Sequence, residues 1–309
     1  DTISNQVVFE LYSLYLKDLN FLFDGKVKID YFNEKIDYYG NFYYENLQSN
    51  INVEMTKKIA KFYLVSEPFK SLKFLKNFLH LPNIAESWMY DNVKGDIKIE
   101  ELYAEYDLIN NHIIENSIQG KAQIKDAKIR FHKDVDAVNT KSLDIFFKDN
   151  RLHFNLMEPM FKDKKLDGSF VLINNLTSEK NGQVDVFLKT NSKLDKDILD
   201  ILKAYNITLP IIQKNGNTQA SLLMKFPYDT TKNMSTYGEF FLNDAKVAIN
   251  NFEFESKNAE VILDDSIIKI KNSDFKYKDM INATLNLNLD IKTLKSYGDA
   301  NIKSFLIKE

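Results

Sequence analysis

Cysteine is absent from this chain of 309 residues, so neither a disulfide framework nor a thiolate metal site can hold it together. That absence leaves the compartment open, because cysteine-free proteins occur on both sides of a bacterial membrane. Glycine (9) and proline (5) are scarce as well. A sandwich of many tight hairpins normally places more of both at its turns. Here Asn, Asp and Lys take those positions, as in Asn33-Glu34-Lys35, Asp149-Asn150-Arg151 and Asp264-Asp265-Ser266. No run approaches the ~18 apolar residues that span a bilayer as a helix, and no signal peptide opens the chain. The first residue is Asp1 rather than Met, as expected of a piece of a longer protein. A net charge of −3, with lysines alternating with acids, lacks the basic patch that a nucleic-acid partner requires.

Catalytic patterns are missing too. His80, His112, His132 and His153 have no metal-ligand spacing. The adjacent pairs Asp264-Asp265 and Glu100-Glu101 read as turn or edge residues, since neighbours on a strand point to opposite faces and cannot flank one substrate. There is no Gly-rich phosphate loop and no nucleophile elbow. The expectation is a protein without catalytic residues, metal or cofactor, and not an enzyme.

What the chain has in quantity is period-2 alternation. Ile281, Ala283, Leu285, Leu287, Leu289 and Ile291 alternate with Asn, Thr and Asp. Val27-Ile29-Tyr31, Ile51-Val53-Met55, Leu102-Ala104-Tyr106-Leu108 and Ala220-Leu222-Met224-Phe226 repeat the pattern. Such alternation means antiparallel sheet with one face buried and one in water. Two segments read as amphipathic helix. One runs over 68–80, with Phe69, Leu72, Leu75 and Leu79 on one face; the other runs over 194–205, with Leu194, Ile198, Ile201, Leu202 and Tyr205. Each precedes a Leu-Pro pair. Residues 1–15 suit helix or strand. Trp88, Met89 and Tyr90 suit a lipid-contacting lip, with ordinary packing the plainer reading.

A repeat is also visible. Leu16-Lys17-Asp18-Leu19, Ile124-Lys125-Asp126-Ala127 and Leu242-Asn243-Asp244-Ala245 share one pattern, with Asp at 18, 126 and 244. The apolar parity flips across that Asp, which predicts a β-bulge; the competing reading is a plain hairpin turn. The repeats divide the chain into 1–66 (a partial β repeat), 67–192 and 193–309 (each helix plus β repeat), within one continuous elongated structure. An apolar face of this extent must be covered, because each large side chain left in water forfeits ~1.5–3 kcal/mol. A sandwich, a barrel, or a trough filled by an apolar ligand would each do so. The bulges and the one-dimensional repeat favour the trough.

The recurrent apolar–polar–Asp–Ala–Lys–apolar strand, the long alternating strands and the helix with Leu-Pro resemble the AsmA-like superfamily, and within it the YhdP-type proteins and their TamB relatives. That resemblance implies a curved antiparallel β-sheet forming a U-shaped hydrophobic groove with two short helices. It implies a periplasmic body anchored to the inner membrane upstream of this segment. It also implies a role carrying phospholipid acyl chains between inner and outer membranes, with proteins of both membranes as candidate partners at the ends of the full-length chain. The expected lining is Ile36, Tyr38, Ile51, Val53, Ile97, Ile99, Ile129, Phe131, Ile145, Phe147, Leu152 and Phe154, then Val247, Ile249, Val261, Leu263, Ile268, Ile270, Leu285, Leu287 and Leu289. A structural β-repeat with a dry core, and a TamB-like chaperone for outer-membrane protein export, are the alternatives.

Overall fold

The computed structural model describes residues 6–77, 81–176, 178, 180–205, 207–209, 211–249 and 252–306. The mainly β fold expected from the alternation is what forms: the described residues make twenty strands of one antiparallel hydrogen-bonded sheet, with two short α-helices. The sheet is not a barrel. Among the described residues its first strand pairs only with the second and its last only with the nineteenth.

Contacts divide the chain into two compact units. The first comprises 1–129, 140–157 and 172–183; the second comprises 130–139, 158–171 and 184–309.

The first unit is an antiparallel meander. Its strands are β1 (Gln6–Leu16), β2 (Phe21–Asp30), β3 (Lys35–Tyr44), β4 (Leu47–Met55), β5 (Ile59–Ser66) and β6 (Val93–Asp107), followed by the two-residue β7 (His112–Ile113) and by β8 (Gln119–Ile129). β1, which the sequence left ambiguous, is strand. Register stacks apolar residues into rows across the sheet. Val27, Tyr38, Val53, Phe62 and Ala104 are successive partners, as are Gly25, Gly40, Ile51, Leu64, Leu102 and Gly120. Gly25 and Gly40 are required: a Cβ on either would stand 2.3 Å from the Tyr39 carbonyl or 2.0 Å from that of Asp24. The Tyr38 hydroxyl crosses this bare backbone, donating to the Asp24 and Asn41 carbonyls at 2.8 and 2.9 Å. Burial pushes that phenol up to about 12.

The first predicted helix is not where its periodicity put it. Phe69 is extended, exchanging backbone hydrogen bonds of 2.8 Å with Ile97. A 3-10 turn follows at Lys73–Asn77, and residues 78–80 lie outside the described set. The α-helix α1 (Asn83–Tyr90) begins after the Leu-Pro, with Pro82 at its N-cap and the Pro82 carbonyl accepting from Glu86 at 2.8 Å. Proline cannot donate to a preceding turn and its φ suits a helix start, so the Leu-Pro that follows the predicted span opens a helix. Trp88 and Tyr90 are buried, as ordinary packing requires.

β9 (Val138–Lys148) and β10 (Arg151–Met157) meet through the two-residue turn Asp149-Asn150, both with positive φ (51° and 57°). That is the conformation Asn and Asp supply where glycine is scarce.

In the second unit, the short β11 (Met160–Phe161) and β12 (Lys164–Lys165) pair as a hairpin. β13 (Phe170–Asn174), most of which counts with the first unit, and β14 (Gln183–Ser192), nearly all in the second, come next. α2 (Lys196–Ala204) forms within the predicted span and buries Ile198, Ile201 and Leu202. The long strands β15 (Ile212–Pro227), β16 (Ser235–Ile249), β17 (Phe252–Asp264), β18 (Ile267–Tyr277), β19 (Ile281–Asp290) and β20 (Ser296–Phe305) complete the chain as a meander. One row runs Leu222, Gly238, Leu263, Ile268, Leu289; the next runs Ala220, Phe240, Val261, Ile270, Leu287.

The parity flips are bulges at two of the three expected places. In β8 the register against β6 gains one residue between Lys125 and Lys128, where Asp126 has φ 48°. In β16 it gains one between Asn243 and Lys246, where Asp244 has φ 43°. Opposite stand Gly95 and Gly216, which let the crowded backbone approach. Asp18 follows the other reading. It lies in the four-residue turn joining β1 to β2, and the bulge of that pair sits between Leu11 and Leu14, opposite Asp24 and next to the Leu11–Gly25 pair.

α2 is pinned by charge. Asp195 caps it, accepting from the Asp197 and Ile198 amides at 3.1 and 3.4 Å. Buried Lys164 reaches Asp163 (2.8 Å), Asp195 (2.9 Å) and Asp197 (3.6 Å). Burial opposes its charge, and the hydrogen bonds to Asp163 and Asp195 override that penalty, holding the ammonium above the ordinary lysine value. Removing a buried charge strands its partners, whereas replacing it with a chain of similar volume keeps the packing. Lys164→Ala is therefore expected to lower stability by roughly 2 kcal/mol, discounted because the carboxylates are partly exposed. Lys164→Met should lose about half of that, measured as a shift in urea midpoint at constant slope. Equal losses would show that the aliphatic stem carries no weight.

Candidate functional site

The apolar rows of the first unit lead to a partly open cavity of about 890 Å³. β6 supplies Val93, Ile97, Ile99, Leu102 and Ala104; β8 supplies Gly120, Ala122 and Ile124. That sequence of β6 residues changes parity after Ile99. It can do so because a second bulge adds Glu100 to β6, between the pairs Ile99–Ala122 and Glu101–Lys121. Without it Leu102 and Ala104 would face water. The β9–β10 hairpin brings Ile145, Phe147, Leu152 and Phe154 to the same space, paired as Phe147–Leu152 and Ile145–Phe154. Leu176, Ile113 and Ile118 complete the apolar wall.

One flank is covered by the chain itself. Leu72, Leu81, Met89 and Tyr90, from the segment between β5 and β6, border the cavity. Burial pushes the Tyr90 phenol up to about 12. Beside it an aromatic pack closes the face. Phe21 lies edge-on to Phe42 and Tyr44 at 5.1 and 5.2 Å, and Phe74 meets Tyr44 at 5.7 Å and Phe69 at 6.0 Å. The face is thus part lined space and part ordinary core.

Six charged residues at or beside the cavity pair with one another, while Lys94 and Glu101 also border it. Lys70 bonds Asp96, Lys73 stands 3.1 Å from Asp91, and Lys121 stands 2.7 Å from Glu100. The hydrogen bond and charge of Glu100 raise the Lys121 ammonium above its usual value. Such a site grips by apolar area, with few polar groups aimed inward. Among the described residues no His, Cys, Asp and Glu cluster is able to hold a metal, and no helix is long and apolar enough to cross a membrane.

Of the expected lining, Ile97, Ile99, Ile145, Phe147, Leu152 and Phe154 border this cavity. Ile51 and Val53 lie buried in the adjoining rows, Tyr38 is half-buried over the glycines, and Ile36 is exposed at the strand start. Ile129 is fully buried at the end of β8. Phe131 falls beyond that strand, its carbonyl accepting from the Tyr205 hydroxyl at 2.8 Å. In the second unit Val247, Leu263 and Ile268 are buried, while Val261, Ile270, Leu285, Leu287 and Leu289 are half-buried along the rows. The side chain of Ile249 lies outside the described residues, as does His80. The sequence reading missed Leu102, Ala104, Ala122 and Ile124 as lining. Their signal was present, since Leu102 and Ala104 resume the alternation of Ile97 and Ile99 one residue out of step.

A family model described as YhdP protein matches residues 80–308, roughly three quarters of the chain. The chain belongs to the YhdP family. The matched span takes in α1, the cavity-forming strands and the long meander of the second unit. Membership in the YhdP family supports a role of lipid-transport type, in a family not known for enzymes. No curated protein and no solved structure matches the chain.

Proposed function

We propose that this YhdP-family chain is a periplasmic segment of a bridge that carries phospholipids between the inner and outer membranes, acyl chains against its apolar sheet face and headgroups in water. One observation carries the reading: a sheet face that continues its own apolar rows into lined but unfilled space. The cavity falls within the ~300–1,000 Å³ that small apolar ligands occupy. Its wall comes largely from alternate apolar residues of four strands, so an acyl chain meets little change in energy as it moves. Paired rim charges leave headgroup selectivity weak. The reading requires no covalent step and no cofactor, attaches the longer protein to the inner membrane, and gives it partners at both membranes. It treats 1–66, 67–192 and 193–309 as repeats of one lipid-bearing unit.

The structural reading, a dry β-repeat, draws on the second unit, where Leu194, Met224, Val184 and Val186 are sealed from water. Native mass spectrometry of the purified chain separates the two. Phospholipid released on activation, at up to one or two molecules per chain, supports transport. A chain that is folded and lipid-free after expression in a Gram-negative host, and stays so when incubated with phospholipid, would leave the dry repeat.

A further inference from the structure

The cavity of the first unit has walls of two kinds. β6 with β8, and β9 with β10, are hydrogen-bonded strands, and such a wall cannot yield without breaking its ladder. α1 is the other kind. Its Met89 and Tyr90 border the same space, yet among the described residues it exchanges no backbone hydrogen bond with any strand. It is eight residues long, runs into β6 through Asp91 and Asn92, and has no side-chain cap at Pro82. A helix that short is marginal unless its surroundings hold it.

What holds it is a clamp of side chains. The 3-10 turn at Lys73–Asn77 is itself fixed: Phe74 packs on Tyr44 and Phe69, and the Asn77 amide donates to the Tyr44 hydroxyl at 3.0 Å. From that post Lys76 reaches Glu86 at 2.6 Å and lies 5.2 Å from the centre of the Tyr90 ring. Lys73 reaches Asp91 at 3.1 Å. The hydrogen bond to Glu86 raises the Lys76 ammonium above its ordinary value. All four charged groups are partly exposed, so these are bonds that water and salt weaken.

Against the clamp stands one group. The Tyr90 hydroxyl is buried with no hydrogen-bond partner, whereas outside it would bond water. Held shut, α1 keeps a penalty that outward movement removes. Ala85 and Trp88, both buried on the same helix, pull the other way and return it.

We infer that α1 is a flap on the cavity, shut by Lys73 and Lys76 and biased to open by the Tyr90 hydroxyl, and that its movement sets how fast a ligand enters and leaves. The flap belongs to the cavity itself; its use in passing phospholipid rests on the transport reading.

Trp88 is the chain's single tryptophan and sits on α1, so the unaltered protein carries its own reporter. The test mixes the whole chain with N-phenyl-1-naphthylamine, a neutral apolar dye that brightens out of water, and follows both binding and release on dilution. Signal that survives Ala122→Phe comes from elsewhere and is subtracted. Lys73→Gln/Lys76→Gln is expected to raise both rates roughly three- to tenfold with Kd unchanged, and to open Trp88 to acrylamide quenching. Tyr90→Phe should do the reverse, slowing both rates and shielding Trp88. Added salt should speed exchange in the unaltered chain and leave the double lysine variant where it is. Urea midpoints identify a double variant that has lost its fold, and Lys76→Gln alone then takes its place. Rates that ignore all three changes overturn the inference, as does a dye signal no larger than that of Ala122→Phe. So does a Kd that follows the release rate while the binding rate stays fixed, which would make Tyr90 and the lysines ordinary contacts. Dye exchange that obeys the flap, in a chain that never carries phospholipid in mass spectrometry, keeps the flap and removes the transport reading.

Discussion

Ala122→Phe is expected to empty the protein of lipid while leaving it folded. Ala122 sits on β8 opposite Ile99, half-buried, with its methyl facing the cavity. A phenyl ring there enters space that no protein atom occupies. It gains up to ~2 kcal/mol of burial, offset by ~1–3 kcal/mol wherever the fit is tight, so thermal stability should change little. For an acyl chain the same ring is an obstruction. Co-purified phospholipid, weighed by extraction or native mass spectrometry, should fall at least roughly tenfold, the equivalent of ~1.4 kcal/mol. The converse substitution, Phe147→Ala, enlarges the space and costs stability, and it should leave lipid in place. A filled variant with undiminished lipid would sink the assignment of this cavity, and a variant that unfolds is set aside by the circular dichroism spectrum in favour of Ala104→Phe on β6.

Gly216→Ala should be the more damaging of two superficially identical changes. Gly216 and Gly168 both have φ of +84°. A Cβ at Gly216 would stand 2.4 Å from the Asp244 carbonyl oxygen and 2.7 Å from the Ala245 Cα, both backbone atoms of the bulge it faces. At Gly168 the nearest atom is the Lys189 Cδ at 3.4 Å, an ordinary contact on a flexible chain. Positive φ alone costs an alanine about 1 kcal/mol or a little more, partly offset by its stiffer unfolded chain. Gly168→Ala is expected to show only that. Gly216→Ala adds the clash and must open the β15–β16 ladder, for a total of roughly 3 kcal/mol or above. Denaturant midpoints at constant slope report the difference. Equal losses at both sites would mean that the bulge does not depend on the bare backbone across from it. Gly95, opposite Asp126, is placed in the same way: its Cβ would meet the Lys125 carbonyl at 2.7 Å.

These glycines show where sequence reading stops. Three Asp residues looked equivalent, and two of them became bulges. Asp126 and Asp244 are followed by Ala127 and Ala245, buried against the glycine opposite. Asp18 is followed by Leu19, too large for that contact, and by Asn20, which takes φ 56° and ends a hairpin turn. The distinction was in the residue after the Asp, yet its meaning depends on a glycine about thirty residues earlier in both copies. The first helix failed for a related reason. Phe69 and Leu72 have helical spacing, but Phe69 finds a strand edge in Ile97, and a long-range backbone pair outweighs a weak local preference. α2 kept its place because Asp195 caps it locally and Lys164 locks that cap.

What the sequence determined by itself is the antiparallel sheet and its apolar side, because side chains on a strand alternate with a period of two and only one parity is oily here. It also placed the second helix, whose signal is local, and offered the two interior bulges among three like candidates. Which part of the oily side is covered was decided by tertiary structure. Phe21, Phe42, Tyr44 and Phe74 close on one another while Ile97, Ile99, Ile145 and Phe154 face lined space, although all eight read alike as apolar strand or helix positions. Covering needs a second layer, and the residues that supply it come from the chain between β5 and β6, whose path is set by contacts across the sheet and leaves no period in the sequence.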